Sequence, residues 1–326
     1  MKHIIALTIF SSSVALAHAQ APTSSANTYP IKPVKVVVGF APGGAADYVA
    51  RTLSDAMGKA LGQPIIVENK AGAGSSIAAE AVSKAAPDGY TVLIASPSSI
   101  SVNPALNPKL GYAPKDLMPV TKITTSPLVI AANPNAGIGS LTELVAKAKK
   151  APGTINYATS GNGSAPHLGA ALFAQVTGIE MTHIPFRGGG PAIQSVVAGD
   201  TQLTFGTPPS VLPMVQAGRL KGLGVSTKER TSLVPGLPGS IEAGVPDYAI
   251  EFWYGIFVPV GTPPAVVKKI FEATQTTMAQ PSVKASLARE GTDVDVSKSP
   301  EQFASFLAED AKFWVKLVKS AGVKLD

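Results

Sequence analysis

The sequence of 326 residues has no cysteine, only four histidines and few charged residues. The lack of cysteine excludes disulfide frameworks, zinc fingers, iron–sulfur ligation and cysteine nucleophiles. Charged residues make up 15% of the chain and hydrophobic residues 45%, which excludes a disordered protein. The formal net charge of +6 comes without a dense basic run, so nucleic acid is not an expected partner.

Known catalytic and cofactor motifs are also missing. The sequence has no G-x-S-x-G, S-x-x-K, H-E-x-x-H or G-x-x-x-x-G-K-[ST] pattern. The run AGAGSSI at residues 71–77 resembles half of a dinucleotide-binding fingerprint, but Ile77 occupies the third glycine position. We therefore expect no catalytic residues, no metal site and no cofactor.

The N-terminus has the pattern of an export signal. Lys2 and His3 precede an apolar stretch, and residues 17–19 (AHA) form a small-x-small cleavage site. The stretch is shorter than the roughly 20 residues of a membrane-spanning helix. This pattern predicts a signal peptide over residues 1–19, cleavage after Ala19, a periplasmic location and a flexible leader over residues 20–28.

The rest of the chain alternates short β-like runs with helical patterns, which predicts an α/β fold with largely parallel sheets. The length is typical of two domains. Strands are predicted at residues 34–40, 65–69, 91–96, 128–132, 154–159, 181–186, 202–206 and 220–226. Helices are predicted at residues 45–61, 141–150, 166–177, 191–198 and 209–217. A further strand-like run is expected to lead into two terminal helices. The last of these begins at Pro300, with an apolar face of Phe303, Phe306, Leu307, Phe313, Trp314 and Leu317.

Three glycine-rich turns each follow a predicted strand and precede a predicted helix. They are GFAPGG (residues 39–44), TSGNGS (residues 159–164) and FRGGG (residues 186–190). Such turns lie at the carboxyl ends of strands, where ligand crevices form in open α/β sheets. Glycine permits close backbone approach, and the helix N-terminus beyond it favours an anion. Three converging helix ends would suit a carboxylate.

Two charged side chains in these turns allow more than one interpretation. Arg187 could pair with a ligand carboxylate or lie in a solvated loop. Asp47 stands in the first turn of its helix, where it would compensate the helix dipole; as a ligand contact it would serve an amine or a water.

Other polar residues near the turns are also ambiguous. His167 begins a helix, where the dipole disfavours an imidazolium, and it could bond a ligand or have a structural role. His183, inside a strand, is interpreted as a core histidine. Ser96, Ser98 and Ser99 end a strand and either offer hydroxyls to the crevice or cap the next turn.

The turns and their surroundings resemble the Bug family, the periplasmic solute receptors of tripartite tricarboxylate transporters. The resemblance rests on GFAPGGAADYVAR (residues 39–51), VENKAGAGSSIAAEAV (67–82), APDGYTVLIAS (86–96), PGTINYATSGNGSAPHLGAALF (152–173), IPFRGGGPAI (184–193) and AGDTQLTF (198–205). The resemblance implies a two-lobed, type II-like periplasmic binding protein that closes on its ligand. We place the chain crossings near Pro127 and Ala249. One lobe then comprises residues 29–127 plus 250–326, and the other residues 128–249.

The resemblance also implies how the ligand is held. Family members bind a carboxylate through backbone N–H groups and bridging waters, and set specificity at the far end of the ligand. Ala45 and Ala46 stand where many relatives have a hydroxyl residue, so the far end of a mono- or dicarboxylate could be apolar or aromatic. The matching positions are Phe40, Ala41, Gly43, Gly44, Ala45, Asp47, Ser96, Ser98, Ser99, Thr159, Gly161, Asn162, Gly163, Ser164, His167, Phe186, Arg187, Gly188, Gly189, Thr207 and Pro208.

The expected protein is thus a monomeric, non-enzymatic receptor that delivers its ligand to membrane transporter subunits. Two alternatives stay open on the sequence. One is a periplasmic enzyme acting on small acids, which would turn its ligand over. The other is a ligand sensor that docks on a membrane kinase.

Overall fold

The computed structural model describes residues 29–107 and 109–320. The predicted signal peptide of residues 1–19 and the predicted leader of residues 20–28 lie outside these residues. Across the described part of the chain, no helix is both long and apolar enough to cross a lipid bilayer.

The described residues form two separate β-sheets, one of six strands and one of five. In chain order the strands are β1 (Val34–Val38), β2 (Ile65–Asn69), β3 (Thr91–Ala95), β4 (Leu117–Pro127), β5 (Val129–Ala132), β6 (Asn156–Thr159), β7 (Thr182–Pro185), β8 (Leu203–Gly206), β9 (Lys221–Val225), β10 (Glu251–Pro259) and β11 (Asp293–Val294). The first sheet has the order β11-β4-β10-β3-β1-β2, and the second has the order β7-β6-β8-β5-β9. Each sheet, with its helices, forms one lobe.

Helices connect the strands and pack against the sheets. They are α1 (Ala45–Leu61), α2 (Ser76–Ser83), α3 (Asn103–Leu106), α4 (Leu141–Lys150), α5 (Ala165–Thr177), α6 (Gly189–Ala198), α7 (Pro208–Gln216), α8 (Pro264–Ala279), α9 (Pro281–Arg289) and α10 (Pro300–Ser320). The predicted bounds of α1 and α4 are confirmed. Val49, Leu53 and Met57 bury one face of α1, and Gly62 ends the helix in the left-handed region with a φ of 77°.

Most strands of each sheet run in one direction, as predicted for this α/β fold. In the first sheet β1, β2, β3 and β4 share a direction, whereas β10 and the short β11 are reversed. Among the strands of the second sheet, β5 alone is reversed. β5 and β10 are the first strands after the chain passes from one sheet to the other, so these two reversals coincide with the crossings.

One serine joins the two crossings. The chain leaves the first sheet at Pro127 and enters the second at Val129, and it returns between β9 and β10. The buried Ser226 hydroxyl donates to the Ile250 carbonyl at 2.5 Å and accepts from the Leu128 N–H at 2.7 Å. The two crossings therefore lie side by side, which is the arrangement that a hinge between two lobes requires.

The fold differs from the prediction in several features, and α2, α3 and β11 were not predicted. The long strand β4 was not predicted, because Pro119 and Lys122 interrupt its apolar pattern. The terminal region has three helices, α8, α9 and α10, where two were expected, because the extended Gln280 and the following Pro281 end α8. Phe313 was predicted on the buried face of α10 but is 45% exposed.

Candidate functional site

Four helices begin at the interface between the lobes, which we call the cleft. The turn after β1 leads into α1, and the turns after β6, β7 and β8 lead into α5, α6 and α7. Their N-cap residues are Gly44, Ser164, Gly188 and Thr207, and none of these four makes a side-chain cap hydrogen bond. The first N–H groups of an α-helix have no acceptor within the helix. The cleft therefore collects the uncapped, partly positive ends of four helices.

These helix starts line a cavity between the lobes, which we call the first cavity. Its empty volume is about 440 Å³, a figure that includes space open to solvent. The first lobe contributes Phe40, Gly44, Ala45, Ala46, Phe252 and Tyr254. The second lobe contributes Thr159, Ser160, Ala165, Pro166, Gly189, Ala192, Ile193, Thr204, Gly206, Thr207 and Ser210.

No charged side chain is among the described residues that line the first cavity. The Thr204 hydroxyl already donates to the Ala158 carbonyl at 3.1 Å. Pro208 and Pro209 have no N–H, so α7 adds no backbone donor from its first two residues. Donors for an anion therefore come from the backbone of α1, α5 and α6 and from the lining hydroxyls of Ser160, Thr207, Ser210 and Tyr254. The hydroxyl of Ser164 is fully buried beside them without a hydrogen-bond partner.

The turn before α1 is braced from within its own lobe. The buried Asp47 carboxylate accepts from the Gly43 N–H, from Arg51 Nε and from Asn69 Nδ2, each at 3.0 Å. Asn69 also donates to the Phe40 carbonyl at 3.0 Å. Burial raises the pKa of Asp47, but these hydrogen bonds outweigh it and hold the pKa below its ordinary value. Asp47 thus fixes the turn as an anion.

The turn before α5 is braced by two stacked histidines. The rings of His167 and His183 lie 3.9 Å apart, centroid to centroid. His167 Nδ1 accepts the Gly163 N–H at 3.1 Å. The Thr159 hydroxyl shares a hydrogen bond with His183 Nε2 at 2.6 Å. His183, which was interpreted as a core histidine, is half-buried, and its ring stacks on those of Tyr157 and His167.

His167 is held in its neutral form. Burial lowers the pKa of His167 to about 3, and the neighbouring His183 lowers it as well. A neutral imidazole is required here because Nδ1 is the acceptor for Gly163. His167 therefore provides no positive charge for a ligand.

A second cavity of about 540 Å³ lies beside the first, between a turn of the first lobe and two turns of the second. Its described lining consists of Phe40, Gly72, Ala73, Gly74, Ser75, Ser160, Gly161, Asn162, Pro185, Phe186 and Arg187. Phe40 and Ser160 line both cavities. Arg187 is the charged residue among the described lining of the second cavity.

The two lobes are in direct contact across the cleft. The Ala41 N–H of the first lobe donates to the Arg187 carbonyl of the second at 3.2 Å. A Cβ at Gly188 would lie 2.9 Å from Ala41 N, and a Cβ at Gly74 would lie 2.3 Å from the Asn162 carbonyl oxygen. Glycine is therefore needed at both positions for the lobes to approach this closely.

The structure places the predicted site residues in three groups. The first cavity is lined by Phe40, Gly44, Ala45, Thr159, Gly189 and Thr207. The second cavity is lined by Phe40, Gly161, Asn162, Phe186 and Arg187. Among the described lining residues of both cavities, the following predicted positions do not occur: Ala41, Gly43, Asp47, Ser96, Ser98, Ser99, Gly163, Ser164, His167, Gly188 and Pro208.

The serines at the end of β3 are buried behind the second cavity. Ser98 and Ser99 belong to a short π-helix, Ser98–Val102, and their hydroxyls have no partner among the described residues. The next residue, Asn103, donates through Nδ2 to the carbonyls of Ala73 and Gly74 at 3.1 and 2.8 Å. This segment therefore supports the turn that forms one wall of the second cavity.

Several residues of the site were not predicted from the sequence. Phe252 and Tyr254 of β10 line the first cavity, but their spacing is that of any buried strand. Asn69 and Asn103 hold cleft turns from behind through side-chain amides. Only their positions, at a strand end and beside a helix start, would have indicated them.

The chemistry available in the first cavity is recognition by neutral donors. Within residues 29–107 and 109–320, no group of three or more His, Asp or Glu residues could hold a metal ion. Helix N-termini and buried hydroxyls can bind a carboxylate without a formal countercharge.

Comparison with known proteins agrees with this chemistry. The family model described as "Tripartite tricarboxylate transporter family receptor" matches residues 49–323. Protein BugT of Bordetella pertussis is 34% identical over 314 residues, covering 96% of each chain.

Solved structures share the whole fold. A Rhodopseudomonas palustris protein with adipate and the periplasmic binding protein BugD are each 30% identical, with TM-scores of 0.87 and 0.86. Each covers 91% of this chain and 99% of its own. MatC from Rhodopseudomonas palustris with bound malate is 33% identical, with a TM-score of 0.84, covering 89% of this chain and 100% of its own.

Proposed function

The chain belongs to the tripartite tricarboxylate transporter receptor family, and on this premise we propose that it binds a small organic carboxylate in the cleft and delivers it to membrane transporter subunits. The observation that carries the proposal is the convergence of four helix starts without side-chain caps on one cavity. The unpaired N–H groups and positive helix ends suit an anion. Two structural relatives hold adipate and malate, which are both carboxylates.

Delivery to a transporter requires that the ligand-bound receptor differ in conformation from the empty one. We place the lobes at residues 29–127 plus 250–326 and residues 128–249, with the hinge at the crossings that Ser226 joins. The ligand would contact both lobes only when they are closed, so binding would favour the closed form. The transporter would then distinguish the loaded receptor from the empty one.

A periplasmic location is part of the same proposal. BugD is a periplasmic binding protein, and the predicted signal peptide would export this chain to the same compartment. The receptor would act there as a monomer, without cofactor or catalytic turnover.

A thermal-shift screen of mono-, di- and tricarboxylates tests the proposal. A ligand that binds only the folded protein raises the melting temperature by an amount that grows with its concentration. We expect at least one acid to do so and to be recovered unchanged after incubation. A complete panel without any shift would contradict carboxylate binding.

One contact supports an enzymatic alternative. The hydroxyl of Thr159 and Nε2 of His183 are within hydrogen-bond distance of each other at the first cavity, as a nucleophile and its base would be. The same hydroxyl accepts the Gly161 N–H at 3.2 Å, which gives it a role in holding the turn. Conversion of a bound acid by the wild type but not by Thr159→Val would favour the enzyme over the receptor.

A further inference from the structure

The two cavities of the cleft form a site with two ends. Phe40 and Ser160 belong to both linings, so a ligand that passes these residues would occupy both cavities. The first end is uncharged and is formed by helix starts. The second end contains a charged side chain, Arg187.

Arg187 differs from the two arginines that form salt bridges. Arg51 and Arg230 form salt bridges with Asp47 and Glu242. Within residues 29–107 and 109–320, the exposed guanidinium of Arg187 makes neither a salt bridge nor a hydrogen bond. Its five N–H donors are therefore available to a ligand, and their planar geometry fits a carboxylate.

Closure fixes the position of Arg187. Its carbonyl accepts the Ala41 N–H from the opposite lobe at 3.2 Å, so its backbone is fixed across the cleft only in the closed form. A ligand group held by the side chain would therefore add to the stability of the closed state. Loss of the contact should increase the rate of ligand release more than it decreases the rate of capture.

The wall opposite Arg187 is a strained backbone turn. Ala73 and Ser75 have φ values of 46° and 76°, and Gly74 between them has a φ of 56°. Non-glycine residues in this region are uncommon, and they cluster at ligand-binding sites. Asn103 binds the Ala73 carbonyl, and the trans peptide plane then directs the Gly74 N–H away from Asn103. Gly74 N is close to the second-lobe turn, 3.9 Å from the place of a Cβ at Gly161.

We infer that the second cavity binds the second carboxylate of a dicarboxylate ligand, and that Arg187 selects dicarboxylates over monocarboxylates of equal chain length. This inference rests on the proposed function, because the first carboxylate must be held by the helix starts of the first cavity. A monocarboxylate would place an apolar end beside an unpaired guanidinium and gain nothing from it.

Matched pairs of acids test the inference by isothermal titration calorimetry. The pairs are butyrate and succinate, hexanoate and adipate, octanoate and suberate, and benzoate and terephthalate. In the wild type we expect the dicarboxylate of at least one pair to bind at least tenfold more tightly, with a preference that weakens as salt is added. Arg187→Gln should abolish that preference while leaving the affinity for the monocarboxylate unchanged. Arg187→Lys, which keeps the charge but loses the planar fork, should retain part of it.

Arg219→Gln is the matched control, because Arg219 is an exposed arginine of the same lobe and lines neither cavity. It should leave every affinity as in the wild type. The inference is wrong if no pair shows a preference for the dicarboxylate, or if Arg187→Gln weakens both members of a pair equally. The receptor proposal survives those results, since acids still bind. If none of the eight acids binds, the receptor proposal and this inference fail together.

Discussion

Serine and threonine N-caps at the cleft differ from two serine N-caps elsewhere in the molecule, those of α4 and α10, in whether the side chain bonds the helix backbone. In α4, away from the cleft, the Ser140 hydroxyl accepts the Glu143 N–H at 3.1 Å. In α10, the Ser299 hydroxyl accepts the Gln302 N–H at 3.2 Å. Ser164 and Thr207 occupy the same N-cap position in α5 and α7, yet neither caps its helix.

The residue type is therefore not the cause of the difference. A serine or threonine N-cap typically stabilises a helix by about 1 kcal/mol, and leaving a buried hydroxyl without a partner costs about 1–3 kcal/mol. The helix that begins at Ser164 lacks the stabilisation of a side-chain cap. The buried Ser164 hydroxyl also has the cost of being without a partner. Such an arrangement is understandable if a ligand supplies the missing partners. Groups that would stabilise the empty protein are instead left for recognition.

The largest expected effect comes from preventing the four helix starts from meeting. Gly188→Ala would place a Cβ 2.9 Å from Ala41 N and 3.0 Å from Ala41 Cβ, across the cleft. Because both neighbours belong to the other lobe, we expect closure to fail while each lobe stays folded. Affinity should fall by about a hundredfold or more, equivalent to roughly 2.7 kcal/mol. Calorimetry measures the affinity, and small-angle scattering should show no compaction when ligand is added.

Gly190→Ala is the control in the same turn. Its Cβ would lie 3.4 Å from the Pro42 carbonyl oxygen, an ordinary contact across the same interface. This variant should bind and compact nearly as the wild type does. If Gly188→Ala also binds and compacts normally, the contact between Gly188 and Ala41 does not limit closure.

A second effect concerns the turn before α5, where the side-chain acceptor is a histidine. His167 Nδ1 accepts the Gly163 N–H, and burial lowers the pKa of His167 to about 3. The unfolded chain takes up a proton near pH 6.5 and the folded chain does not, so stability is complete above pH 6.5 and falls as the pH is lowered towards 3. Between pH 6.5 and pH 5 the loss should approach about 2 kcal/mol. Urea unfolding at a series of pH values measures it.

His167→Asn separates this effect from other acid titrations. The asparagine Oδ1 can accept the same N–H but does not titrate, so the loss between pH 6.5 and pH 5 should be much smaller. The pKa values of Asp47 and Asp295 are lowered by their hydrogen bonds, so these carboxylates act at lower pH. An unchanged pH profile in His167→Asn would show that another group, His183 included, is responsible.

The sequence contains enough to predict the elements that build the cleft. The apolar spacing and the flanking glycines set the bounds of α1, and the three glycine-rich turns lie at strand ends, as expected for parallel units. These features are local, because each depends on residues within one strand–turn–helix unit. β4 was missed since its residues are specified by pairing with β10 and not by their own pattern.

The direction of individual side chains could not be predicted. Serine precedes a helix at Ser140, Ser164 and Ser299, and the local sequence gives no reason for only two of them to cap. The amides of Asn69 and Asn103 reach turns 29 residues away in the chain, to Phe40 and Gly74. Such contacts depend on the packing of whole elements, which no local pattern encodes.

The smallest effect is expected from alanine substitution of one serine N-cap of each kind, Ser140 away from the cleft and Ser164 at the cleft. Ser140→Ala removes the cap of α4 and should lower the free energy of unfolding by about 1 kcal/mol, without changing ligand affinity. Ser164→Ala removes a buried hydroxyl that has no partner, so the stability of the empty protein should be unchanged or slightly higher. Its ligand affinity should fall by the equivalent of one hydrogen bond, about 0.5–1.5 kcal/mol. Urea unfolding and calorimetry on both variants give the four values needed. If Ser164→Ala destabilises the empty protein as Ser140→Ala does and leaves binding intact, Ser164 is an ordinary cap, and the distinction between the cleft and the rest of the molecule does not hold at α5.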